Sequence, residues 1–139
     1  SVKLLTNGIR GSLKYSDSEW CTWNDNDSVS FTIDLLKPET LNTLTLGCIT
    51  NNGMAIHKPS SVKVEVSDDN SSFCEAAMRS FTPEEIFREG NFIENLPLKL
   101  RGTQARYVRV TAKGPGVCPA SHVRPGQVSR ILFDEMILE

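Results

Sequence analysis

A chain of 139 residues with net charge −2 and 23% charged side chains has the size of one domain and can bury a core without staples. That charge balance points to neither a nucleic-acid nor an anionic-membrane surface. No apolar run approaches the ~20 residues of a membrane span.

The chain opens on Ser1-Val2-Lys3 with no signal-peptide pattern, so it reads as a fragment or a mature segment. Residues 4–11, L-L-T-N-G-I-R-G, are turn-rich, and 16–27 is a polar loop carrying Trp20 and Trp23, expected to cover a strand end. Val29, Phe31, Ile33 and Leu35 then alternate with polar partners, a strand that Lys37-Pro38 is expected to end. Residues 41–49 give a second strand, with Leu44, Leu46 and Cys48 on one face, followed by the polar loop Thr50-Asn51-Asn52-Gly53. Val62, Val64 and Val66 mark the next strand, and 67–72 a turn cluster. Thr82-Pro83-Glu84-Glu85 is the one helix-start signal, a Thr cap followed by Pro in the first turn. Residues 92–100 form a strand whose Pro97 implies an edge or a bulge.

In residues 105–113, A-R-Y-V-R-V-T-A-K, Val108, Val110 and Ala112 share one face. This strand runs into Gly114-Pro115-Gly116 and Cys118-Pro119, a rigid loop ending at Ser121-His122. Residues 131–138 make a last strand. Seven or eight short strands and one helical turn predict an all-β fold, an antiparallel β-sandwich. Cys21, Cys48, Cys74 and Cys118 contain no C-x-x-C pair and are too widely spaced for a disulfide framework or a zinc clip, so free thiols are expected. No catalytic signature or metal-ligand cluster announces itself, and the adjacent Ser121 and His122 cannot form a triad.

L-T-N-G-I-R-G, T-I-D-L, V-E-V-S-D-D-N-S-S-F, A-R-Y-V-R-V and D-E-M-I-L follow one another in a register that resembles the coagulation factor 5/8 type C (discoidin) family. The likeness spans nearly all of 1–139 as a single domain. It is strongest to bacterial carbohydrate-binding modules appended to β-hexosaminidases and chitobiases. The resemblance implies a galactose-binding-like jelly roll and a non-catalytic accessory module, C-terminal in a larger glycoside hydrolase. It also implies a secreted, periplasmic or cell-surface location through that parent chain, with a glycan and the linked catalytic domain as partners.

It further implies a structural Ca2+ whose matching oxygen donors are Asn7, Asp17 and Glu135, with Asn7 standing where such modules usually carry Asp. The implied sugar site lies in the loops 50–57 and 118–130. There His57, His122, Arg124, Arg130, Asn51 and Asn52 are the candidate contacts to sugar hydroxyls, on a shallow polar cleft. Ala55, Ser121 and Arg130 occupy positions where related modules carry tryptophans, so stacking platforms are missing from their usual places. Two readings follow: weak binding of a terminal hexose or N-acetylhexosamine, or a domain that packs on its enzyme or another protein. A lipid-binding reading would rest on Met54 and Ile56 as exposed spikes.

Overall fold

Alternating valines cannot bury their apolar face alone, and the pairing of strands from opposite ends of the chain gives them a partner surface. The computed structural model describes residues 21–23 and 28–139. Its strands are β1 (Cys21–Trp23), β2 (Ser28–Asn51), β3 (Ser61–Ser67), β4 (Cys74–Ser80), β5 (Asn91–Lys113) and β6 (Ile131–Leu138). They form one antiparallel array in the order β1-β6-β2-β5-β3-β4. A four-residue helix, α1 (Pro83–Ile86), follows β4.

The strands expected at 29–35 and 41–49 are one strand, and so are those at 92–100 and 105–113. Lys37-Pro38 bends β2 rather than ending it. The register with β5 slips between Asp34 and Glu39 and again between Leu41 and Thr43, with Leu36 at φ 72°. Pro38 falls in the slip, where no ladder bond needs its missing N–H. Opposite the second slip, β5 holds Arg101 and Gly102 at φ 55° and 74°. The long β2–β5 ribbon therefore folds over at its middle.

Each half of the ribbon recruits its own neighbours. Residues 28–34 and 107–113 continue through β3 and β4, whereas 43–51 and 91–99 continue through β6 and β1. The two halves face each other across one core. Phe31, Val62, Val64, Val108, Val110 and Ala112 come from the first, and Leu44, Leu46, Cys48, Leu96, Leu98, Ile131 and Phe133 from the second. Each of the Val, Leu, Ile and Phe side chains contributes roughly 1.5–3 kcal/mol when fully buried. This is the expected β-sandwich, made by bending a sheet.

Among the described residues, Pro97 lies on the half of β5 that pairs with β2 alone, and its carbonyl accepts from Arg79 Nη1 (3.2 Å). The edge position read from the sequence holds. On β6, two residues (Asp134 and Glu135) lie between the partners Phe133 and Met136, where β2 has only Gly47 between Cys48 and Leu46. The resulting bulge turns both Asp134 and Glu135 inward, and both are buried.

Candidate functional site

The loop after β2 is closed by its own backbone. Asn51 and Ile56 exchange both N–H···O bonds (2.9 and 3.0 Å), and Ala55 takes the left-handed conformation at φ 56°. The loop after β5 is closed likewise. Cys118 N–H donates to Gln127 O (2.8 Å), Gly126 N–H to Cys118 O (2.9 Å) and Ser129 N–H to Gly116 O (3.0 Å), with Gly116 and Gly126 at positive φ. The two loops are then joined. His57 N–H donates to Arg130 O (3.1 Å) and Arg130 N–H to Ala55 O (2.9 Å), a parallel bridge of Ile56 with Arg130.

The arginines serve this junction. Arg124 Nε donates to Gly53 O and its Nη1 to Gln127 Oε1 (3.3 Å), while Arg130 Nη2 reaches Met54 O (3.4 Å). Arg124 is exposed and keeps three further N–H donors. Arg130 is half-buried. Met54 and Ile56 are not spikes, because both pack inward with Ile49, Leu132 and Ile93.

His57 is fully buried, and its Nε2 lies 2.9 Å from His122 Nε2, in a ring cluster completed by Phe87. Arg124 N–H donates to His122 Nδ1 (2.9 Å), which leaves the proton on His122 Nε2 and makes His57 Nε2 its acceptor. His57 Nδ1 then carries a proton but makes no hydrogen bond of good geometry among the described residues. Burial pushes the His57 imidazolium down to about 4, His122 beside it acts in the same direction, and the Ile86 backbone opposes both weakly. Both nitrogens of His122 are thus engaged within the protein. Cys118, also buried, places its Sγ 3.4 Å from Ser129 Oγ. The fold therefore assembles an imidazole and thiol cluster from residues whose spacing along the chain gives no sign of one.

Above this cluster lie two shallow clefts that share Phe87, Pro119 and Ser121. One, of about 130 Å³, is also lined by Asn52, Glu89, His122 and Val123. The other, of about 260 Å³, adds Pro83 and Glu84. Phe87 stands between them, half-buried, at the end of α1. It is fixed there by the Thr82 and Glu85 capping box, in which Glu85 N–H donates to Thr82 Oγ1 (3.2 Å) and Thr82 N–H to Glu85 Oε1 (3.1 Å).

Of the sugar candidates, Asn52 and His122 line the cleft, Arg124 and Arg130 tie the loops, Asn51 pairs with Ile56, and His57 sits beneath. Phe87 and Glu89 escaped sequence reasoning, whereas Pro119 belongs to the rigid loop, read from the sequence, that begins the second half of the site. The capped turn was legible, but nothing local says that it packs on two distant loops. A larger depression of about 320 Å³ lies elsewhere, between β4 and the open edge of β5, with Arg79 reaching across it.

Of the Ca2+ donors, Asn7 and Asp17 lie outside the described residues. Glu135 is buried on the β6 bulge, and its Oε2 has no hydrogen-bond partner among the described residues. A buried carboxylate oxygen without a donor suits a hard cation.

A family model described as F5/8 type C domain matches residues 4–124. No curated protein matches the chain by sequence. Among solved structures, the C-terminal domain of a chitobiase from Bacteroides fragilis is 18% identical, with TM-score 0.56, covering 100% of this chain and 79% of that one. A CBM32 module from a family 31 glycoside hydrolase of Clostridium perfringens is 12% identical (TM-score 0.60), covering 99% and 83%. A structure from the Streptococcus pneumoniae β-galactosidase BgaA is 13% identical (TM-score 0.62), covering 100% and 86%. At these identities the likeness is one of fold.

Proposed function

This chain belongs to the F5/8 type C domain family, and from that premise we propose that it binds one terminal hexose or N-acetylhexosamine in the clefts around Phe87. Its fold is that of the CBM32 carbohydrate-binding modules, and domains of this family are generally non-catalytic binding modules. The observation that carries the reading is the position of Phe87. It presents an aromatic surface between the two loops, where no tryptophan remains at 55, 121 or 130. The apolar face of a pyranose stacks on such a ring. Asn52, Ser121 and Glu89 supply donors and acceptors to the hydroxyls around it, and Arg124 adds its remaining donors at the rim.

Each of these bonds competes with water and is worth about 0.5–1.5 kcal/mol net, so the affinity belongs on the order of millimolar. Glycan-array screening followed by calorimetry tests this: Phe87→Ala should weaken binding of the best sugar about tenfold, while Met78→Ala, beside the distant depression, should not. Equal affinity in wild type and Phe87→Ala removes the platform from the account.

The module's place is at the end of a secreted or cell-surface glycoside hydrolase, which it holds against its substrate. Among the described residues, no helix is long and apolar enough to cross a membrane. Glu135, with Asn7 and Asp17, would hold a Ca2+ tying the N-terminal segment to β6. In that case calcium raises the melting temperature over chelator-treated protein, and Glu135→Gln abolishes the difference, because a ligand held only by the native state stabilises it. No calcium effect in wild type rejects the site. A second reading, packing on the parent enzyme, is favoured by Val117, Val123 and Val128, which leave apolar surface exposed along the second loop.

A further inference from the structure

Beneath the clefts, His57, Cys118 and His122 each hold a ligand atom within 4.8 Å of those of the other two, and all three residues are buried. We propose that these three side chains form a binding site for a divalent transition-metal ion of the Zn2+ type, with a water from the adjoining cleft as fourth ligand. Two imidazoles and one thiolate are a donor set that borderline-soft ions prefer, and three protein ligands with one open position make a four-coordinate site.

The geometry needs little change to close on an ion. Two Zn–N bonds of about 2.1 Å at a tetrahedral angle set their nitrogens about 3.4 Å apart. The Nε2 atoms of His57 and His122 are 2.9 Å apart, so the rings part by roughly half an ångström while the Cys118 sulfur moves in. His57 Nδ1 keeps its proton and faces the Ile86 backbone, without a hydrogen bond of good geometry among the described residues. His122 must shift its proton from Nε2 to Nδ1, which turns the Arg124 amide away to water at an exposed residue. Cys118 gives up its thiol proton to solvent. The cleft of about 130 Å³ reaches His122 and provides both the entry path and the fourth ligand.

The three ligands come from two loops, so the ion would cross-link the junction on which the clefts are built. The site goes beyond carbohydrate binding and does not depend on it.

The probe is Co2+, followed by Zn2+, added to the full chain after chelator treatment in a thiol-free reducing buffer. One equivalent of Co2+ should produce a thiolate charge-transfer band and the visible bands of a four-coordinate ion, and Zn2+ should displace both. Zn2+ should also raise the melting temperature. Cys118→Ser should lose the charge-transfer band, and His57→Phe, which keeps a ring against Phe87, should lose the four-coordinate spectrum. Cys74→Ser, at an exposed thiol outside the cluster, should lose neither. Wild type without a charge-transfer band and with unchanged melting overturns the site, leaving a hydrogen-bonded histidine pair. A charge-transfer band that survives in Cys118→Ser overturns it equally.

Discussion

Lys58 is 5% exposed, with its Nζ 2.9 Å from Glu94 Oε1 and 5.0 Å from the centre of the Phe81 ring. A lysine in such surroundings is stable only while its partner and the ring stand in for water. Lys58→Ala leaves Glu94 unpaired and should cost about 2 kcal/mol in denaturant unfolding. That is below the ~3–5 kcal/mol of a fully buried pair, since the Glu94 side chain keeps 27% of its surface in solvent. A cost under about 0.5 kcal/mol, the level of an ordinary surface substitution, would show that water already reaches the pair. Nothing in H-K-P announces this burial. Lys58 is covered because Phe81, just past the end of β4, and Glu94, on β5, arrive from far along the chain. Burial of Cys48 was legible, because Leu44 and Leu46 share its strand phase and its alternation is local.

The bend in the β2–β5 ribbon decides what the strands build. A straight ribbon would carry one apolar face on a single sheet, whereas the folded one closes that face on itself. At the fold, Leu36 adopts φ 72° although its side chain is 79% exposed and packs little. A left-handed non-glycine residue costs about 1–2 kcal/mol, and Asn tolerates that conformation better than Leu. Leu36→Asn should therefore raise stability by about 0.5–1 kcal/mol, and Gly102→Ala, at φ 74°, should lower it by about 1–2 kcal/mol. Matching melting temperatures for the two variants would mean that the bend carries no backbone strain. Read from sequence, Lys37-Pro38 looks like a strand end, because Pro cannot donate to a ladder. It sits instead in a register slip, and whether strand resumes beyond such a residue depends on the partner β5. The alternation on either side, the Thr82 capping box and the Pro97 edge were all readable, since each follows from neighbours within a few residues.

Across the whole molecule, one end of the sandwich gathers α1 and the two closed loops, so that residues 52, 87, 89, 121 and 122 meet on one surface. The loops themselves were legible from their Gly and Pro residues, and their adjacency followed from the family resemblance. Phe87 was not, because it stands on a helical turn that only the folded chain brings beside them. Binding at this end is the central claim, and its most direct test is an NMR titration of the labelled chain with galactose, N-acetylgalactosamine and N-acetylglucosamine. The account predicts that at least one sugar, at millimolar concentration, shifts the amides of Asn52, Phe87, Glu89 and Ser121, while those of Ala77, Met78 and Lys99 at the other depression stay still. Shifts confined to that second depression, or no shift with any of the three sugars, would contradict it.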